Sequence, residues 1–126
     1  MDYDAACAYL AAKPEASEDF PFGADVRVFR IRRKIFALMM LRHGQAQVNL
    51  KCDPEEAMIL RDVFDAVLPG YHMNKAHWNT VLLDGSIPDG EMERMIDRSY
   101  ALVVRSLKKS ERQALEIRHG SAALYR

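Results

Sequence analysis

The sequence contains little that could stabilise the chain other than a folded core. Only two cysteines, Cys7 and Cys52, occur among the 126 residues, and they form no CxxC pair. This pattern favours reduced packing residues over a disulfide framework. No apolar run approaches the length of a membrane-spanning helix, and the acidic Asp2 and Asp4 are not typical of a secretory signal. The sequence therefore predicts a cytoplasmic protein with no membrane association.

An excess of charge of either sign is also missing. Eighteen Lys plus Arg residues are balanced by eighteen Asp plus Glu residues, so the formal net charge is zero. Dedicated nucleic-acid binders are usually basic, because phosphate neutralisation supplies much of their affinity. Any such role must therefore depend on a local basic patch.

The common catalytic motifs are absent as well. The sequence has no GxGxxG, no Walker loop and no GxSxG, and paired carboxylates occur only at solvated helix starts. We therefore expect no enzymatic activity and no cofactor.

The composition that is present, 49% hydrophobic and 29% charged, is that of an ordinary globular protein. Hydrophobic periodicity predicts an α+β domain, an antiparallel sheet backed by helices. The predicted strands are 25–31, 35–41, 45–52 and 78–83, and the predicted helices are 2–13, 54–67 and 89–107. The first three strands form a meander, so its two turns lie at opposite ends of the sheet. Residues 1–107 are predicted to form the domain, and 108–126 a short helix with a frayed tail from Ser121.

Two local features carry definite expectations. Asp53, followed by Pro54 and two glutamates, has the pattern of a helix start, so its carboxylate is expected to cap the second long helix. Phe20 and Phe22 lie in a tight turn and are expected to plug an edge of the core.

The most versatile group of side chains lies at residues 70–79, GYHMNKAHWN, which includes the only tryptophan. Its candidate binding residues are Tyr71, His72, Asn74, Lys75, His77 and Trp78. Aromatic faces, cationic donors and amides suit a planar or anionic partner such as a nucleotide. Alternatively, the aromatic rings pack while the polar groups hold a long connection in place. The five-residue spacing of the two histidines is poor for chelation, so no metal is expected.

A second candidate is the cationic connection Arg32, Arg33 and Lys34 between the first two strands. A hairpin tip of this charge could contact phosphates, and Lys51 lies at the same end of the predicted sheet. Alternatively, the tip is solvated and its charge discourages edge pairing.

Four motifs in order resemble the MmcQ/YjbR family, over about residues 2–107. They are DFPFG at 19–23, LKCDPE at 50–55, GYHMNK at 70–75 with HWN at 77–79, and LDGS at 83–86. The resemblance implies a CyaY-like α+β fold in a small bacterial cytoplasmic protein. It also implies DNA binding through a double-wing arrangement of sheet and loops.

Two hypotheses follow for the function. The first is a non-enzymatic, monomeric module that binds double-stranded DNA through the cationic connection, Lys51 and the 70–79 stretch. The alternative is a small-molecule or protein-interaction module that uses the same stretch as a pocket. One continuous basic face would favour DNA, whereas a concave aromatic pocket of mixed charge would favour a ligand.

Overall fold

The fold is an α+β arrangement of one six-stranded antiparallel sheet and five helices, seen in a computed structural model that describes all 126 residues. The strands are β1 (Ala16–Asp19), β2 (Val26–Ile31), β3 (Lys34–Arg42), β4 (Gln45–Lys51), β5 (Val67–Pro69) and β6 (Trp78–Leu82). The helices are α1 (Tyr3–Ala11), α2 (Pro54–Val63), α3 (Asp89–Arg105), α4 (Lys109–His119) and α5 (Ser121–Leu124). The spatial order of the strands is β1-β2-β3-β4-β6-β5. No helix is long and apolar enough to cross a membrane.

The predicted α+β class, the four predicted strands and the β2–β3–β4 meander are confirmed. The edge strands β1 and β5 were not predicted, and β5 begins within the range assigned to the second helix. That helix ends at Val63, because Phe64 adopts an extended backbone with φ −119° and ψ 120°. The chain then turns at once into β5, so residues 64–67 do not extend α2.

Asp53 stands at the predicted start of α2, but its carboxylate accepts no capping hydrogen bond. The predicted cap is wrong in this respect. The exposed side chain is left to solvent, and the first turn closes through the backbone bond from Ala57 N to Asp53 O, at 2.8 Å. Asp2, in contrast, caps α1 by accepting a 2.8 Å hydrogen bond from Ala5 N.

The helices cover one face of the sheet, and α3 is central to this layer. Ser99 of α3 is fully buried, donates to Phe36 O at 2.6 Å and accepts from Lys51 N at 2.8 Å. Phe36 is the extra residue of a bulge in the β2–β3 pairing, and its ring meets Tyr100 edge-on at 5.2 Å. The Ser99 hydroxyl thus joins β3 and β4 to α3 at the point where the bulge interrupts the β2–β3 ladder.

The predicted frayed tail is also wrong, because residues 121–124 form α5 and pack on the core. Leu124 is only 1% exposed and belongs to the same hydrophobic cluster as Leu115 of α4. The guanidinium of Arg105 lies 4.7 Å from the Tyr125 ring, whose hydroxyl donates to Glu116 at 2.9 Å. These contacts join the chain terminus to α3 and α4.

The opposite face of the sheet carries no helix. Strand pairing aligns two rows of side chains on it, Val28–Leu38–Asn49–Thr80 and Val26–Met40–Gln47–Leu82. Most of these residues are nevertheless buried, and two chain segments, at Phe22 and at residues 71–73, lie over them. We call this surface the open face.

Candidate functional site

A groove of about 310 Å³ lies on the open face of the sheet. Its eight lining residues come from three strands and the two covering segments. All are hydrophobic except Asn49 and His72, and the hydrophobic six are Phe22, Val26, Leu38, Met40, Tyr71 and Met73. The volume is at the lower end of the range for small-molecule sites. The strand residues form the floor of the groove, and the two covering segments form its walls.

Glycine at position 70 allows the wall to approach the sheet. Gly70 N donates to Trp78 O at 2.9 Å, and a Cβ placed on residue 70 would lie 2.8 Å from both the Cβ and the O of Trp78. Real Cβ atoms do not approach this closely, so only glycine fits without a shift. The chain consequently folds back over the open face at Tyr71.

A buried polar network then fixes Tyr71. Its backbone N donates to Thr80 Oγ1 at 2.8 Å, and its backbone O accepts from Asn49 Nδ2 at 3.1 Å. Thr80 Oγ1 in turn donates to Asn49 Oδ1 at 2.6 Å. Both polar side chains are about 1% exposed, so strand positions that alternation alone would assign to solvent serve to hold the wall.

The phenol ring of Tyr71 meets two cationic or hydrogen-bonding side chains. The guanidinium carbon of Arg42 lies 3.7 Å from the ring centroid, and the His72 ring centroid lies 4.0 Å away. Arg42 is the last residue of β3 and forms no ion pair, while His72 lines the groove. A stacked, unpaired guanidinium therefore stands beside an apolar groove.

The rest of the 70–79 stretch lies outside the groove. Asn74 Oδ1 accepts from Ala76 N at 2.9 Å, and Lys75 Nζ donates to Gly70 O at 3.2 Å, so both close the turn. His77 is exposed, and Trp78 is half-buried opposite Lys51 in the β4–β6 pairing. The geometry thus divides the predicted stretch into two groove residues and a structural turn.

Arg61 of α2 secures this turn from the helical side. Its Nε donates to Asn79 Oδ1 at 2.8 Å, and its Nη2 contacts the carbonyl of Lys75. Helical periodicity gives no sign of this role, which follows only from the packing of α2 beside β6.

The cationic connection of Arg32, Arg33 and Lys34 is occupied by intramolecular contacts. Arg32 pairs with Glu15 at 3.3 Å, Arg33 holds Glu111 through two bonds of 3.0 and 3.2 Å, and Lys34 Nζ donates to Ser106 O at 2.9 Å. The 70–77 segment does return to the Lys51 end of the sheet, since Trp78 pairs with Lys51. It then folds over the open face, however, while the cationic connection contacts the helical layer.

Several groove residues were missed by sequence reasoning. Phe22 and Phe20 were expected to plug the core edge, but they are 64% and 46% exposed, and Phe22 forms a groove wall instead. Met40 and Leu38 gave a usable signal, because β3 is apolar on both faces although only one face meets helices. Arg42 gave no signal in the sequence, and its place at the end of β3 is seen only in the structure.

No reactive thiol or metal cluster accompanies the groove. Burial raises the pKa of Cys52 to about 11, and the neighbouring charges of Glu56 and Asp53 add to the effect. Burial likewise raises the pKa of Cys7. No group of three His, Cys, Asp or Glu side chains could hold a metal ion. Neither cysteine lines the groove.

Comparisons with known proteins agree on one family. The sequence model described as YjbR matches residues 11–102. YjbR of Escherichia coli K12 is 36% identical over 107 residues, which is 85% of this chain and 91% of that protein. None of the names found for similar proteins states an activity.

Two solved structures are also similar. A Deinococcus radiodurans protein with a DUF419 domain has a TM-score of 0.83 at 32% identity, covering 90% of this chain and 87% of that one. A Pseudomonas syringae protein has a TM-score of 0.72 at 31% identity, covering 81% and 98%.

Proposed function

This chain belongs to the YjbR family, and from that fold and the groove on its open face we propose that it is a non-enzymatic module that binds a small, largely apolar ligand. The supporting observation is the groove itself. No helix covers this face of the sheet, so it would otherwise be exposed to solvent. Apolar side chains converge there instead, among them Phe22, Met40 and Met73. Concave apolar surface with a few placed polar groups is the usual form of a ligand site.

The polar network supports the same proposal. Asn49 and Thr80 hold the Tyr71 wall through backbone hydrogen bonds, so the groove is built before a ligand enters. A preformed site loses less conformational entropy on binding. Exposed Phe22 supplies an aromatic surface that contributes to binding only when a ligand covers it.

A neutral fluorescent probe, N-phenyl-1-naphthylamine, tests the proposal by titration. Met40→Trp should fill the groove and weaken probe binding by about tenfold or more, since the added ring occupies the ligand's volume. Leu41→Trp is the matched control, because Leu41 follows directly in β3, is 63% exposed and points to the other face. Absence of saturable binding, or equal binding by both variants, would refute the proposal.

DNA binding is a second candidate, supported by cations that remain outside all ion pairs. Arg42, Lys51 and Lys75 contact no carboxylate, although Lys75 donates to a backbone carbonyl. These residues, and not the cationic connection, are the phosphate contacts that this candidate requires. Protein charges that are already paired release fewer counterions on binding DNA.

Titration with duplex DNA at two salt concentrations tests this candidate. If the protein binds, Arg42→Ala and Lys51→Ala should each lower the salt slope of log K by about 0.9 for every phosphate that the variant no longer neutralises. The triple variant with alanine in place of Arg32, Arg33 and Lys34 should change the salt slope less than either of these single variants does. If no salt-dependent binding occurs at about 50 mM salt, where screening is weak, the candidate is eliminated.

A further inference from the structure

We propose that the groove selects an organic anion, with a flat apolar body on the sheet and its carboxylate, sulfonate or phosphate group beside Arg42. This inference rests on the proposed ligand-binding function and adds the chemical class of the ligand. It depends on the position of Arg42 and on the absence of acids from the groove.

Arg42 is placed to receive the anionic end. Side chains two residues apart share a strand face, so Arg42 follows Leu38 and Met40 along the open face. Its guanidinium carbon lies 3.7 Å from the Tyr71 ring centroid, and the guanidinium forms no hydrogen bond or ion pair within the chain. A planar fork held in this way loses little rotamer entropy when it binds an oxyanion.

Nothing acidic competes for that position. The eight groove residues include no Asp or Glu, and the other polar side chain at the rim, His72, can donate a hydrogen bond. Several other arginines of the sheet and helix layers are neutralised, such as Arg33 by Glu111 and Arg30 by Asp19. The difference marks Arg42 as a cation without an internal counterion.

Two probes that differ only in charge test the inference. The anion 1-anilinonaphthalene-8-sulfonate carries the same aromatic body as neutral N-phenyl-1-naphthylamine, so the ratio of their dissociation constants isolates the sulfonate. We expect the anion to bind more tightly, and Arg42→Ala to weaken it by about tenfold or more while leaving the neutral probe within about twofold. Arg42→Lys should be intermediate, because an ammonium lacks the planar fork.

Arg105→Ala is the matched control. Arg105 also stacks on a tyrosine, Tyr125 at 4.7 Å, and its removal changes the net charge equally, but it lies on the helical layer. Its variant should bind both probes as the wild type does. If both probes bind with equal affinity and Arg42→Ala affects neither, the proposed selection of an anion is refuted, while the proposed ligand binding in the groove is retained. If neither probe binds saturably, or if Met40→Trp has no effect on either, both proposals fall.

Discussion

Replacing Gly70 by alanine tests whether the groove wall depends on close backbone approach. The added Cβ would lie 2.8 Å from Trp78 O, 2.8 Å from Trp78 Cβ and 3.1 Å from Met73 Cβ. None of these atoms is the far end of a flexible side chain, so rotation cannot relieve the contact. The wall must therefore move away from β6.

The expected loss of stability follows from two opposing terms. Overpacking of this kind costs about 1–3 kcal/mol. Alanine restricts the unfolded chain more than glycine does, which offsets about 0.4–1 kcal/mol. The central values of these two ranges, about 2 and about 0.7 kcal/mol, leave a net destabilisation of about 1.3 kcal/mol. Displacement of the wall should also lengthen the bonds from Tyr71 to Thr80 and Asn49, and so weaken probe binding.

Urea unfolding followed by Trp78 fluorescence measures the effect, since Trp78 is the only tryptophan and contacts the altered position. Gly90→Ala in the first turn of α3 is the control, because apart from its chain neighbours and the backbone of its own helix nothing lies within 4 Å of the added Cβ. It should leave stability unchanged or raise it by up to about 1 kcal/mol. If Gly70→Ala is as stable as the wild type and binds the probe equally well, the close-approach argument is wrong.

Three further predictions concern caps, charge and thiols. Asp2→Ala should lower the unfolding free energy by about 0.5–2 kcal/mol in denaturant melts, whereas Asp53→Ala should cost less, because only Asp2 accepts a capping bond. Hydrogen bonds from His119 and Arg118 hold the pKa of Glu15 below its ordinary value, so its contribution is present at neutral pH and is lost as pH falls through the lowered pKa. Melts at pH 7 and pH 4 should therefore show a smaller acid loss in Glu15→Gln than in the wild type; an equal loss would contradict this. With the pKa of Cys52 at about 11, Ellman's reagent at pH 8 should react much faster with urea-unfolded than with native protein, and fast native reaction at Cys52 would disprove its burial.

Alternation and helix periodicity predicted the elements that bury a regular face. Strand β4 alternates Val48 and Leu50 with polar partners, and α3 repeats its apolar residues at helical spacing, so each could be recognised locally. Strands β1 and β5 have four and three residues, too few for a period to show. Leu124 has no periodic neighbours, and its burial depends on a surface that α3 and α4 build together.

The site was predictable in part, for a related reason. Tyr71 and His72 were recognised because they lie in an unusual local composition. Phe22 and Arg42 join them only after the chain folds back at Gly70, and that fold depends on contacts with Trp78, Thr80 and Asn49. Sequence reasoning found the segment that carries the wall, whereas the groove's other side comes from strands distant along the chain.

The intramolecular contacts of the cationic connection explain why charge patterns predicted the binding residues least reliably. Arg32, Arg33 and Lys34 are adjacent in the sequence, yet their partners are Glu15, Glu111 and Ser106, from both ends of the chain. With zero net charge, every cation has on average one available acid, and folding decides which pairs form. A run of like charge therefore attracts internal acids as readily as an external polyanion. A lone cation next to aromatic residues, such as Arg42 on Tyr71, can remain available to a ligand because no acid was folded against it.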